Sequence, residues 1–475
     1  MASSAFRVAV AGAVLATVAT GLPSGAAPPR ANGAGVLAVD VDHVLELEDR
    51  RPREEPSVAV DPADPRTVVV SSMQFSRTFS GSLISGYSPR GRIWLSRDGG
   101  RAYRAVADLP LQPGQAAVTF DPRLAWDPHG PLYAAYTSAT SEYPKAPSSE
   151  DGLYLARSNE AGRHWQRLAH LEGRSCGGPS RPALAVDPDR GWVYVAWTHM
   201  VEPSCNGSPD LSKTEVFWAR STDRGAHFSK PVRVTDPGVS RMPSLSVLTD
   251  GTVLVSVVTG GVLSLGDPSC PGAQEAVQAF RYSPSGRLLT SSTPIPSLCI
   301  AFDGLFGNGA AYTPVEYPSV AVDPVSGAAV IAAAFENYSQ GGIMTATSRD
   351  RGRTWTQQAV TGAPGTAGSM GALAVDARGR TSLAWLEVSQ GGLYQPVLSR
   401  SGDDGGSWAA PVPLATLPSN GNSHPQSGYD LYGFGQYLGL GLGRDGVAHV
   451  AWPDLRPRGT DSQEVDVWTR DVPPS

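Results

Sequence analysis

One pattern restricts this chain more than any other: a short apolar strand, a tight turn and a second apolar strand recur seven times. The copies start at Pro56, Pro122, Pro182, Pro243, Pro318, Gly371 and Leu438. Both strands of each copy are nearly continuous in Val, Ala, Leu and Ile, as expected where both faces of a sheet are covered. Asp, Gly and Pro fill the turns between them and suit tight reversals.

Most repeats carry a second signature, Ser-x-Asp-x-Gly-x-x-aromatic, after a third strand. It reads Ser96, Asp98, Gly100, Tyr103, then Ser221, Asp223, Gly225, Phe228, then Ser348, Asp350, Gly352, Trp355, and Ser401, Asp403, Gly405, Trp408. A variant places Glu160 between Ser158 and Gly162 with Trp165 following, and the fourth repeat is eroded to Tyr282-Ser283-Pro284-Ser285-Gly286. In such a turn Ser and Asp bond backbone groups, Gly takes positive φ, and the aromatic packs down between sheets. A fourth strand then leads to the next repeat.

These turns are the Asp-box (bacterial neuraminidase repeat) motif, and from about Val36 to its C-terminus the chain resembles the sialidase-like β-propeller superfamily. Four strands in each of seven repeats predict an all-β, seven-bladed propeller of four-stranded antiparallel blades. A six-bladed ring with one decayed unit is the alternative. The seventh repeat stops after its third strand, Glu464 to Arg470, so the N-terminal segment Val36 to Glu48 is expected to supply the outer strand and close the ring. Five copies of one turn around a ring cannot all face one ligand, so Asp98, Glu160, Asp223, Asp350 and Asp403 are assigned to structure.

Composition narrows the setting. Lys+Arg 38 against Asp+Glu 44 gives a net charge of −6, which speaks against a nucleic-acid partner. No basic run would dock on anionic lipid. Residues Met1 to Ala26 read as an export signal: Arg7, an apolar stretch from Val8 to Leu22, and a small-residue site at Ser24-Gly25-Ala26. Ala27 to Gly35 reads as a disordered tail, and 36–475 as a single propeller. A secreted monomer without a transmembrane anchor is expected. Four cysteines fit that compartment. They allow three connectivities, of which Cys176–Cys205 and Cys270–Cys299 are favoured because each would staple loops at one end of one repeat. No CxxC and no metal-like spacing of His43, His199, His424 or His449 points to a metal, and no cofactor is implied.

The irregular segments collect at one end of the blades: Met73 to Arg92, Ser138 to Gly152, His199 to Thr214, Gly260 to Glu275, Pro296 to Tyr317 and Pro418 to Tyr437. Variable loops on a rigid scaffold make that mouth the candidate ligand face. Residues just ahead of the innermost strands should ring it, among them Glu54, Glu55, Arg123, Arg181, Arg241, Glu316, Tyr317, Met370, Gln436 and Tyr437. Family sialidases carry an Arg-Ile-Pro motif here, with its Arg in a three-arginine clamp on the substrate carboxylate. Arg241-Met242-Pro243 matches it closely and Arg181-Pro182 loosely, so the resemblance implies a clamp of Arg123, Arg181 and Arg241. The alternative is that each pairs with a nearby acid such as Glu54 or Glu316.

The resemblance further implies a tyrosine nucleophile, for which Tyr317 and Tyr437 are placed, with Glu336 to activate it and Asp430 or Asp454 as the acid. Two departures stand against it: Glu54-Glu55-Pro56 occupies the first motif position, and seven repeats replace the usual six. The stretch Phe434 to Tyr437 followed by Trp452 to Arg456 has no assigned chemistry, and Asp454 with Arg456 can pin the closing blade. The expectation is an exported propeller that binds or hydrolyses acidic sugars of extracellular glycans, an exo-α-sialidase in its most specific form. A non-catalytic glycan- or protein-binding module and a polysaccharide lyase acting on uronate polymers are the alternatives.

Overall fold

The computed structural model describes residues 42–45, 51–80, 83–111, 118–139, 152–173, 177–201, 213–236, 238, 240–263, 273–300, 318–337, 340–389, 392–421, 435, 437–456 and 465–474. They form seven antiparallel sheets arranged as a seven-bladed propeller. The innermost strands of blades 1 to 7 are Arg53–Val60, Val118–Trp126, Gly177–Val186, Ser240–Val247, Ser319–Val322, Thr366–Val375 and Gly439–Leu442. Among the described residues no helix is long and apolar enough to cross a membrane.

The apolar strands fill seven clusters, each shared by two neighbouring blades. Strand alternation explains this. In blade 2, Leu132, Ala134 and Tyr136 join the cluster with blade 1, while Tyr133 and Ala135 join the one with blade 3. One strand thus serves two cores and reads as unbroken hydrophobicity.

Turn chemistry repeats as regularly. The first hairpin of every blade has an Asp whose carboxylate accepts the N–H two residues on: Asp61, Asp127, Asp187, Asp250, Asp323, Asp376 and Asp445, at 2.6 to 3.1 Å. In the Ser-x-Asp-x-Gly turns the glycine N–H donates to the serine hydroxyl at 2.7 to 2.9 Å. Asp98, Asp223, Asp350 and Asp403 each accept the N–H four residues on. In the variant turn Glu160 instead meets His164 at 2.8 Å. These acids are spent on their own turns. Backbone and side-chain donors hold Asp350 down to about 2, led by the Thr354 N–H.

The ring closes on chain ends that are far apart in sequence. His43–Val44 pairs with Asp466–Val472 as the outer strand of blade 7. Arg456 bridges Asp42 at 2.5 Å and Asp454 at 2.8 Å and lies over Trp468. Arg53 of blade 1 meets Asp466 of blade 7 at 2.9 Å, both fully buried.

Met73 to Arg92, read from sequence as a loop, is instead a β-hairpin, Val68–Ser80 against Leu83–Ser96, paired as far as Ser80 and Leu83. Its Ser- and Gly-rich composition suggested a loop, but the ladder begun by Val68 to Val70 continues through it. Likewise Gly260–Leu263, Ala273–Glu275 and Pro296–Ile300 are strand.

The glycine of each Ser-x-Asp-x-Gly turn, and of its variant, abuts the preceding blade. Gly225 has φ +86°, and a Cβ there would lie 2.8 Å from Leu155 and Leu168 of blade 2. Gly225→Ala should therefore destabilise by more than about 1 kcal/mol. Gly130→Ala, with nothing within 4 Å, should stay within about 0.5 kcal/mol. Urea melts of both variants check the pair.

Candidate functional site

Five innermost strands slip register at one equivalent step, between Glu54/Ser57, Phe120/Arg123, Ser180/Ala183, Arg241/Ser244 and Ser369/Ala372. Each bulge holds a non-glycine residue in the left-handed region: Glu55, Asp121, Arg181, Met242 and Met370, at φ 52° to 58°. Such conformations cost about 1–3 kcal/mol each and persist only where surroundings impose them. At two of the five the preceding blade holds the strained residue's N–H. Asp121 accepts the Arg181 N–H at 3.0 Å, and Thr198 accepts the Met242 N–H at 3.0 Å. Bulges re-aim side chains, and these form a ring at the mouth. Blades 1 to 3 supply Glu55, Asp121 and Arg181; blades 4, 6 and 7 supply Met242, Met370 and Tyr437.

Tyr437 sits at the axis, buried against Met242. The Arg123 guanidinium lies over its ring, 3.4 Å from the centroid. Below them the innermost strands enclose a channel of about 190 Å³ that Ser57, Ser244, Ser319 and Gly439 help to line.

Off the axis, between blades 1 and 3, lies a cavity of about 250 Å³. Glu55, Asp121 and Arg181 line it with Phe120, Met73 and Met200. Glu55 is 5% exposed, and its carboxyl hydrogen-bonds the Asp121 carboxyl. Burial raises Glu55 well above the carboxylate range, and the Asp121 charge and hydrogen bond add to the rise. Arg123 and Arg181 pull the other way without cancelling it. Glu55 is thus pushed toward its protonated form.

The three arginines occupy three register positions. Arg181 is at its bulge, Arg241 precedes its bulge and Arg123 follows its own by two residues. Arg181 and Arg123 both act on Glu55, whereas Arg241 is held in an ion pair by Glu275 of the same blade. Tyr317 and Asp430 lie outside the described residues, as do Met1 to Val41. Glu336 falls near the end of the second strand of blade 5, across from Gly341. Asp454 is buried and bonded to Arg456 and the Trp452 indole. Of the cysteines, Cys176, Cys205 and Cys270 lie outside the described residues, and Cys299 is in the outer strand of blade 4. Among the described residues no group of three or more His, Cys, Asp or Glu could hold a metal ion. His199 and Trp197 both donate to Glu172, and buried His449 meets Asp471 at 2.7 Å.

Asp121 and Glu275 escaped the sequence reading. Asp121 was within reach: Glu55-Pro56, Asp121-Pro122, Arg181-Pro182, Met242-Pro243 and Tyr317-Pro318 align across the repeats. Nothing comparable marks Glu275.

No protein-family model matches the sequence, and no curated protein matches it. Solved structures of similar shape exist. An α-L-arabinofuranosidase of Fusarium graminearum complexed with arabinobiose has 14% identity and a TM-score of 0.49, over 79% of this chain and 98% of that one. An α-L-arabinanase of Penicillium chrysogenum with arabinobiose has 13% and 0.47, over 73% and 93%. A sialidase of Streptococcus pneumoniae has 10% and 0.47, over 91% and 94%. Likeness at this level concerns shape and carries nothing about the chemistry of this chain.

Glu275 is pushed up to about 7 because burial outweighs Arg241. The folded chain then holds a proton that the unfolded chain releases near the ordinary value of 4.5. Stability should fall as pH rises from about 4.5 to 7, by about 3 kcal/mol at most from this group. Melts across that range should show the slope in the wild type and lose it in Glu275→Gln.

Proposed function

We propose that the protein is an exported, glycan-active propeller that holds one acidic sugar unit in the cavity between blades 1 and 3. One observation carries this reading: Arg181 lines the cavity beside Glu55 and Asp121, and the Arg123 guanidinium is close enough to act on Glu55. Guanidinium groups suit a carboxylate ligand. A cavity of about 250 Å³ is smaller than the ~300–1,000 Å³ typical for drug-sized ligands. That favours a terminal unit over the interior of a polymer. Phe120, Met73 and Met200 offer apolar wall to a ring face.

The catalytic version is hydrolysis of a terminal acidic glycoside, sialosides first, with a tyrosine attacking the anomeric carbon. Tyr437 is the candidate among the described residues. A second reading, recognition without cleavage, is favoured by the 3% exposure of Tyr437 beneath Arg123 and Met242.

A fluorogenic 4-methylumbelliferyl sialoside offered to the purified protein separates the two. Turnover with KM raised about 10-fold or more in Arg181→Ala supports the hydrolase, since a charge-assisted hydrogen bond is worth about 1.5–3 kcal/mol. Glycan-array binding without turnover, lost in Arg181→Ala, supports the module. If Arg181→Ala changes neither, the anion site is wrong.

A further inference from the structure

Carboxyls used for two-carboxylate glycoside hydrolysis stand about 5–5.5 Å or 6.5–9.5 Å apart. Glu55 and Asp121 are in direct hydrogen-bond contact. Carboxyls that close cannot split the roles of acid and base across a sugar ring.

Their surroundings differ, and the difference decides which oxygen keeps the proton. The Asp121 carboxylate accepts the Arg181 N–H at 3.0 Å, a hydrogen bond of the kind that favours a charged acceptor. Glu55 is 5% exposed, with Asp121 as its hydrogen-bond partner and no donor bonded to its carboxyl among the described residues. Blade 7 covers it from another side. A Cβ on Gly435, φ +90°, would come within 3.1 Å of the Glu55 backbone N and 3.3 Å of its Cγ. The charged groups facing Glu55 among the described residues are Asp121 and Arg123 of blade 2 and Arg181 of blade 3. Both acids stand on strand bulges rather than loop tips, so the backbone fixes their separation.

We infer that Glu55 is the proton donor of the mouth site and that Asp121 is the positioning residue that keeps the proton on it. This rests on the hydrolase reading above. In the step, the bond from the anomeric carbon to the leaving oxygen breaks, its electron pair stays on that oxygen, and the Glu55 proton joins it. The oxygen of a water forms the new bond to carbon, one of its protons passes to the Glu55–Asp121 pair, and the other stays on the new hydroxyl. Between donation and return the two carboxylates carry two negative charges, and Arg123 and Arg181 balance them.

Two measurements test the assignment. Kinetics on sialyllactose and on the 4-methylumbelliferyl sialoside should separate in Glu55→Gln. We expect kcat/KM to fall about 10²–10⁴-fold on sialyllactose, whose leaving group needs the proton, and far less on the activated substrate. In Asp121→Asn the basic limb of the pH–kcat/KM profile should move to lower pH, because removing the adjacent anion lowers Glu55. A role in folding alone would not move that limb. Equal losses on both substrates, or an unmoved limb, overturn the assignment. Carboxyl titration by NMR on protein labelled with 13C at Glu and Asp provides a readout that needs no turnover. A carboxyl titrating above the ordinary range in the wild type and dropping in Asp121→Asn supports the shared proton; a Glu55 that titrates normally overturns it. If the wild type turns over neither substrate while this titration behaves as expected, the hydrolase reading fails and the donor role with it, but the paired proton stands.

Discussion

Every other property of this molecule depends on apolar contact between neighbouring sheets. Among the described residues no blade has a core of its own; each of these seven clusters is built from two blades. Fully burying one large apolar side chain is worth about 1.5–3 kcal/mol, and Trp94, Trp197, Trp218, Trp385 and Trp452 are all buried this way. Such a ring is stable only when complete, which is why ion pairs gather where its ends meet. Arg53–Asp466 and Arg456–Asp42 join residues 413 and 414 positions apart, and Asp454 holds Arg456 from its own strand end. A buried pair adds little net stability against apolar packing but makes mispairing costly. Its contribution here is to fix which edge meets which.

The scaffold turns this rigidity into a site. Backbone strain recurs at the same step of five inner strands. Neighbouring blades support it through the Asp121 and Thr198 acceptors. What varies is only the side chain mounted there. Glutamate, aspartate and arginine on adjacent blades line a polar recess; methionine on blades 4 and 6 is buried. The asymmetry arises from substitution at one repeated position, not from any change of fold.

Legibility from sequence followed the range of the interactions. Strand count and blade number were readable because alternation along strands such as Leu132 to Tyr136 faces two cores at once. The turn acids were readable because their partners lie two to four residues away. The mouth was readable in part. Glu55, Arg123, Arg181 and Tyr437 were picked out, but their mutual arrangement was not. A register slip moves a side chain to the other face of a strand, and nothing local announces that Arg123 lies past its bulge while Arg181 lies on it. The Arg241–Glu275 pair joins two strands of one sheet that are not adjacent in sequence, so a motif match at Arg241 could not foresee that its charge is already engaged. The blade 1 hairpin was missed for a different reason: serine and glycine read as loop unless a neighbouring ladder extends into them.

Arg123 has a consequence beyond its own strand. Its guanidinium lies over the Tyr437 ring and also acts on the Glu55 carboxyl in the recess between blades 1 and 3. One side chain is thus common to the two hollows, and a change of charge in either is felt in the other.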